Sequence, residues 1–185
     1  MRVVAGSAGG IPLFIPKGPD LRPTMDMVKA AIFSSLADLL PGARVLDLFA
    51  GTGALGIEAL SRGAVSATFV ESDRRAVAAI ERNLQKTSLQ GAIHAMDVLR
   101  YLERVAPPAA FDLVLADPPY AKQRGDRDFT AELLACEALR RALAPGGIFV
   151  LEHLPGAALP LGEAWECFRQ KRYGATEVAF LRPRS

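Results

Sequence analysis

The four residues Asp117-Pro118-Pro119-Tyr120 directly follow the apolar run Phe111–Ala116. Two consecutive prolines donate no backbone hydrogen bonds and hold the chain extended, so they build a rigid corner rich in acceptors. Such a corner suits an N–H donor. An amine conjugated to an aromatic ring is a poor nucleophile, because its lone pair is delocalised into the ring. Asp117 and the Pro118 carbonyl can accept its two hydrogens, which orients the nitrogen and stabilises the positive charge that develops as a methyl group arrives. Tyr120 can stack on a flipped planar base and hold it in line. The competing reading is a strand-ending turn in which Pro-Pro only punctuates.

A second stretch, Val45-Leu46-Asp47-Leu48-Phe49-Ala50-Gly51-Thr52-Gly53-Ala54-Leu55-Gly56, has the form of a strand, a tight glycine turn and a helix start. Its Gly51-x-Gly53-x-x-Gly56 spacing formally matches the dinucleotide fingerprint and would suggest a nicotinamide oxidoreductase. Asp47, four residues before Gly51, argues against that cofactor, because a carboxylate repels a pyrophosphate. S-adenosylmethionine has no phosphate, and its amino-acid end carries an ammonium that Asp47 can pair with. The glycines then let the backbone approach the methionine moiety. Glu71 ends the next apolar run, where a carboxylate accepting both ribose hydroxyls belongs; either cofactor would use it. Asp97 ends the third run, and could accept from the adenine amine or cap the following helix. Asp73 opens a helix and is assigned to capping.

These residues need a scaffold that brings them to one edge. From Arg44 onward, strand-length apolar runs alternate with amphipathic stretches of helix length, the pattern of a parallel sheet covered on both faces. The expected strands are Arg44–Phe49, Ala67–Glu71, Ala92–Met96, Phe111–Asp117 and Gly147–Glu152. The expected helices are Ala54–Arg62, Arg74–Gln85, Val98–Val105 and Thr130–Leu143, with Pro145-Gly146-Gly147 stopping the last. Both motifs then sit at the carboxyl ends of strands, the usual ligand crevice of such a sheet. Trp165–Arg172 and Glu177–Arg182 are separated by only a few residues and must pair as an antiparallel hairpin. Ahead of the sheet, Val3–Ile15 is expected to form a small hairpin, and Met25–Leu40 a helix capped by Thr24 and ended before Pro41-Gly42.

The chain of 185 residues, half of them apolar, is expected to form one domain, with residues 1–43 as a hairpin-and-helix extension and residues 44–185 as the catalytic core. Met1–Gly6 has no apolar stretch of signal-peptide length and no later segment is long enough to span a bilayer, so a soluble, cytoplasmic protein is expected. Cys136 and Cys167 lack metal-ligand spacing and read as free thiols; His94 and His153 read as structural. No metal is expected, since methyl transfer from a sulfonium needs neither a metal nor a strong base. Net charge is +2, unevenly spread: residues 1–44 hold five basic and three acidic side chains, residues 165–185 five and two, and residues 45–164 twelve and fifteen. Basic flanks around an acidic centre fit a polyanion-binding rim over a cationic cofactor, though ordinary surface variation gives the same sums. Arg2, Lys17 and Arg22 are the candidate polyanion contacts in the first flank. The charged loop Ala121–Asp128, with Lys122, Arg124 and Arg127, either closes over RNA or is a solvated loop.

Asp47-Leu48-Phe49-Ala50-Gly51-Thr52-Gly53 followed by Asp117-Pro118-Pro119-Tyr120 resembles the amino methyltransferases with the Rossmann-like fold. Arg2-Val3-Val4-Ala5-Gly6, Leu21-Arg22-Pro23-Thr24, the stretch Ala54–Ala64 and Tyr173-Gly174-Ala175-Thr176 narrow the resemblance to the RsmD family, bacterial small-subunit (16S) rRNA guanine-N2 methyltransferases, over nearly the whole chain. The resemblance implies a seven-stranded, mostly parallel sheet whose last two strands form the C-terminal hairpin. It implies S-adenosylmethionine contacts at Asp47, Phe49, Ala50, Gly51, Gly53, Glu71, Asp97 and Val98, and base contacts at Asp117, Pro118 and Tyr120. Its implied partner is ribosomal RNA in an assembled or partly assembled small subunit. Three rivals stand beside it. A DNA adenine-N6 methyltransferase shares the corner but needs room for a target-recognition domain; a protein-glutamine methyltransferase more usually has Asn where Asp117 stands; a non-catalytic RNA-binding module would not need Asp117, Tyr120, Gly51 and Gly53 intact.

Overall fold

The computed structural model describes residues 1–16, 26–120 and 125–184. In chain order the elements are helix α1 (Asp26–Ser35), strand β1 (Arg44–Leu48), α2 (Ala54–Ser61), β2 (Ser66–Glu71), α3 (Arg74–Thr87), β3 (Ala92–Ala95), α4 (Val98–Arg104), β4 (Phe111–Ala116), α5 (Phe129–Ala135), α6 (Glu137–Ala142), β5 (Leu143–His153), β6 (Trp165–Tyr173) and β7 (Thr176–Pro183). The strands form one seven-stranded sheet in the order β3-β2-β1-β4-β5-β7-β6. The first five run parallel, and β7 lies antiparallel between β5 and β6. Successive strand residues face opposite layers. Val45, Leu113 and Val150 pack with the N-terminal segment and α1 to α3, whereas Leu46, Val114 and Leu151 pack with α4 to α6. Because both faces are covered, the central strands are apolar at nearly every position. The order of strands reverses between β1 and β4, which puts the glycine loop and the Asp117 corner side by side.

Four expectations change in detail. The helix expected over Thr130–Leu143 is split at Cys136, whose backbone is extended (φ −73°, ψ 108°). The buried indole of Trp165 donates to the Leu134 carbonyl at 2.8 Å, which holds the end of α5 open for a partner from a distant strand. Pro145-Gly146-Gly147 lies inside β5 rather than ahead of it. Gly146 takes φ 76°, and the β4–β5 register shifts between Phe111 and Leu113 to absorb the irregularity. Helix α1 stops at Ser35, whose hydroxyl bonds back to the Ala31 carbonyl, and single turns replace the expected last stretch to Leu40. The expected cap Thr24 lies outside the described residues.

The N-terminal hairpin is reduced to one bridge, Arg2 to Pro12. Around it the Val3 N–H donates to the Ile11 carbonyl at 3.0 Å, Leu13 to Met1 at 3.2 Å and Gly10 to Val3 at 2.8 Å, while the N–H groups of Val4 and Ala5 donate to the Glu58 carboxylate, at 2.7 and 3.1 Å. Glu58, fully buried on α2, also faces Lys29 of α1 at 3.6 Å and Arg62 at 2.7 Å. Lys29 donates to the Arg2 carbonyl as well. Burial lowers the Lys29 pKa, against the pull of Glu58 and Asp26. Gly6 (φ 86°) closes this joint, since a Cβ there would lie 1.8 Å from the Ser61 carbonyl oxygen. The first residues are thereby fixed to the helix that follows the glycine loop.

Candidate active site

A cleft of about 700 Å³ opens at the carboxyl ends of the strands. Its walls bring together Asp47, Phe49, Ala50, Gly51, Glu71, Asp97, Val98, Asp117, Pro118 and Tyr120, residues spread over more than seventy positions of sequence. Gly53 lies just off the wall. It caps α2 with φ 78°, and a Cβ on it would press at 3.3 Å on Ile57 and Ile80.

The glycine loop is held by carboxylates. Asp47, 1% exposed at the end of β1, accepts from the Gly56 N–H at 2.8 Å. Burial pushes its pKa well above the usual carboxylate range, the Gly56 N–H opposes this, and the charges of Asp117 and Glu71 add to the rise. Gly56 must be glycine, because a Cβ would lie 2.3 Å from the Phe69 ring. Glu71 takes three backbone donors at 2.8 Å: Gly51 through one oxygen, and Ser72 and Asp73 through the other. Phe49 adopts φ 56°, a left-handed conformation unusual for a residue with a side chain, and its ring meets Phe129 edge-on at 5.0 Å. Asn83, fully buried on α3, donates to the carbonyls of Thr52 and Phe14 at 2.9 and 3.0 Å. It thus ties the loop to the N-terminal segment.

Asp73 caps α3, as expected. Asp97 caps α4 through the Arg100 N–H at 3.0 Å, and its other oxygen meets Arg127 at 3.3 Å. Arg127 also forks onto Glu132 at 2.8 Å and lies 4.5 Å above the Phe129 ring, so its guanidinium is committed to the protein. Lys122 and Arg124 of the same loop lie outside the described residues.

On the other side, the Tyr120 hydroxyl is 2.8 Å from Thr176 Oγ1, at the start of β7. Thr176 Oγ1 lies 3.4 Å from Glu152 Oε2. Glu152, 4% exposed, is the penultimate residue of β5. Burial, and then the charge of Asp117, push its pKa well above the ordinary range, and Thr176 opposes them. The sequence reading missed Glu152 as a site residue, and it noticed Tyr173 and Thr176 only as the ends of the turn between the last two strands and as parts of a family pattern. The signal for Glu152 was present: a carboxylate closing the apolar run Ile148–Leu151 is out of place in a strand covered on both faces.

The matching family model, that of conserved hypothetical protein 95, the RsmD proteins, covers residues 1–182. The chain belongs to the RsmD family. It is 34% identical to ribosomal RNA small subunit methyltransferase D of Escherichia coli (strain K12) over 182 residues, 97% of this chain and 87% of that one. It is 36% identical to the YlbH protein of Bacillus subtilis (strain 168) over 189 residues, all of both chains. Among solved structures, the yhhF protein from Escherichia coli superposes with a TM-score of 0.83 at 28% identity, covering 99% of this chain and 97% of that one. The Thermus thermophilus 16S rRNA N2 G1207 methyltransferase RsmC, solved with AdoMet and guanosine, gives a TM-score of 0.71 at 26% identity over 88% of this chain and 43% of that one. The fold of this RsmD-family chain is the Rossmann-like methyltransferase fold.

The charged flanks of the family chain divide differently from the expectation. Arg2 is paired with Asp26 at 3.4 Å, and Lys17 and Arg22 lie outside the described residues. In the C-terminal flank, Arg182 lies 4.3 Å above Phe168, Arg169 5.7 Å above Phe180 and Lys171 6.0 Å from the Tyr173 ring. Among the described residues, none of these three cations reaches a carboxylate within 4.0 Å. Strand β6 is the edge of the sheet and runs toward the cleft, which Tyr173 lines. No described helix is long and apolar enough to cross a membrane, and no described cluster of His, Cys, Asp and Glu could hold a metal ion.

Proposed function

We propose that this protein transfers a methyl group from S-adenosylmethionine to the exocyclic N2 amine of a guanine in small-subunit ribosomal RNA, the whole chain acting as one methyltransferase domain in the cytoplasm. The observation that carries the reading is that the Asp117-Pro118-Pro119-Tyr120 corner shares one cleft with the carboxylate-braced glycine loop. The cleft fits the cofactor: the carboxyl groups of Asp47 and Glu71 line it as acceptors for the ammonium and the ribose hydroxyls, and the loop backbone is bare of side chains at Gly51. Asp47, Phe49, Ala50, Gly51 and Gly53 hold or shape the methionine end, Glu71 takes the ribose, and Asp97 with Val98 takes the adenine. Bound there, S-adenosylmethionine supplies an electrophilic methyl on a neutral leaving group.

The chain's own residues do the rest. Asp117 and the Pro118 carbonyl accept the amine hydrogens, align the nitrogen and compensate its developing charge. Tyr120 stacks on the base while Thr176 fixes its hydroxyl. The amine proton leaves late, so no strong base is required. RNA, within an assembled or partly assembled subunit, lies against Arg169, Lys171 and Arg182 on one flank and Arg2, Lys17 and Arg22 on the other; Arg2 must first exchange its Asp26 partner for phosphate.

Two variants test the assignment. Asp117→Ala should lower turnover by roughly 10²-fold or more, the scale of losing a preorganised partner of transition-state charge, with cofactor affinity by calorimetry nearly unchanged. Glu71→Ala should instead weaken cofactor binding. An Asp117→Ala enzyme with parental turnover would sink the catalytic assignment.

A further inference from the structure

Among the described residues, two buried side-chain atoms have no hydrogen-bond partner: Glu152 Oε1 and the Tyr173 hydroxyl. Both residues line the cleft, Glu152 from β5 and Tyr173 from the end of β6, beside the turn into β7. Orphaned buried polar atoms are rare and costly, so two in one wall point to a polar ligand that completes them.

The surroundings of Glu152 say what that ligand offers. No described cation pairs with it, and the charges that act on it are those of Asp117 and Asp47, both negative. Its Oε2 accepts from Thr176 Oγ1 at 3.4 Å. Oε1 is left as a bare acceptor, on a side chain fixed through Thr176 to the same Tyr120 that completes the corner.

A base presented to that corner by its exocyclic amine brings the neighbouring ring nitrogen with it. In guanine the amine is flanked by N1, which carries a hydrogen, and on its other side by N3, which carries a lone pair; in adenine and cytosine the one flanking ring nitrogen carries a lone pair, so only guanine has a donor there, on its N1 side. An acceptor beside the amine site therefore completes a hydrogen bond with guanine and faces a lone pair with the other two. Beyond N1–H, guanine presents the O6 acceptor, for which the open Tyr173 hydroxyl is a donor. We infer that Glu152 Oε1 accepts the N1–H of the target guanine and makes Glu152 the residue that selects guanine over the other amine-bearing bases. The inference rests on the reading of the Asp117 corner as a base-amine site and adds the residue that sets its specificity.

The test uses ribonucleosides as competitors of labelled methyl transfer from S-adenosylmethionine to small ribosomal subunits. Guanosine is compared with 2-aminopurine riboside, which keeps the N2 amine and lacks both N1–H and O6, and with adenosine. For the parental enzyme guanosine should inhibit roughly tenfold more strongly than 2-aminopurine riboside, the scale of one buried hydrogen bond. In Glu152→Ala that ratio should fall severalfold, to what the O6 contact with Tyr173 alone sustains. Glu152→Gln, whose amide offers either an acceptor or a donor, should narrow the gap by improving 2-aminopurine riboside. Thermal unfolding of both variants checks that they are folded, and Glu152→Gln carries the test if Glu152→Ala is not. The inference is overturned if parental guanosine is no better than 2-aminopurine riboside, including the case in which neither inhibits, or if a folded Glu152→Gln keeps the parental ratio. Adenosine competing better than guanosine would overturn the guanine reading beneath it instead.

Discussion

The cleft has two walls that handle their carboxylates in opposite ways. On the wall formed by β1 to β3, Asp47, Glu71 and Asp97 each accept hydrogen bonds from nearby backbone N–H groups, with Glu71 alone taking three. On the wall formed by β5 and β7, Glu152 is buried more deeply than Glu71, yet one of its oxygens meets nothing in the protein. The first wall is thus finished before any ligand arrives, and the cofactor meets a rigid, pre-shaped surface. The second carries polar atoms whose partners the protein does not supply. A finished wall suits one invariant cofactor; an unfinished one makes binding depend on whether the incoming molecule has the right donors and acceptors, which is how a site rejects near-isosteres.

That contrast can be broken most directly by unfolding the protein without ligands. Glu71→Ala strips the acceptor from the Gly51, Ser72 and Asp73 N–H groups. It should destabilise the unliganded protein by about 1–3 kcal/mol, the usual cost of unmet backbone donors, with the lower end favoured because Ser72 is exposed. Chemical denaturation measures it. A Glu71→Ala protein as stable as the parent would mean that the first wall is not self-supporting.

A smaller effect is expected outside the cleft. Removing Arg169, Lys171 and Arg182 together should weaken binding to small-subunit RNA by about tenfold or more at physiological salt and reduce the slope of log affinity against log salt by roughly two to three. Cofactor affinity should not move, since none of the three lines the cleft. Filter binding across a salt series decides; an unchanged slope would leave the edge of β6 without a part in RNA binding and return attention to Arg2, Lys17 and Arg22.

The smallest effect sharpens the second wall. Because burial raises the Glu152 pKa in the folded protein, the unfolded chain gives up that proton at lower pH than the folded one. Stability associated with this group is therefore full below the ordinary glutamic acid value of 4.5 and is lost as pH rises from there toward the raised folded value. Glu152→Gln removes the loss. Its melting temperature should exceed the parent's by an amount that grows with pH from acid to neutral, and a difference that shrinks with rising pH would contradict the assigned direction.

The two walls also differed in how far the sequence revealed them. The first wall is local: the strand, glycine turn and helix start from Val45 to Gly56 are contiguous, and Glu71 and Asp97 end the next two strands. Spacing alone pointed to Asp47, Gly51 and Glu71, which the fold brings to one cleft, although it gave no hint that Glu71, read as a ribose acceptor, also braces the loop. The second wall is assembled at long range. Glu152 meets Thr176 only because β7 inserts beside β5, and Tyr120 meets Thr176 across fifty-six positions. Similarly, the break at Cys136 depends on Trp165 reaching back to Leu134, and the shortness of the N-terminal hairpin goes with Glu58 capturing Val4 and Ala5. Tertiary partners such as these override local pattern wherever they compete for the same backbone groups.

The central claim is that this cleft joins a sulfonium cofactor to the N2 amine of guanine. The measurement that tests it most directly is the identity of the methylated product. Small subunits from cells lacking this activity are incubated with the protein and methyl-labelled S-adenosylmethionine, alongside DNA and protein substrates, and the RNA is digested to nucleosides and resolved by mass spectrometry. Label in N2-methylguanosine at a single position is the predicted result. Label in N6-methyladenosine would keep the corner's chemistry and reject guanine, and label confined to protein would contradict the account altogether, since the same corner would then be holding a glutamine amide.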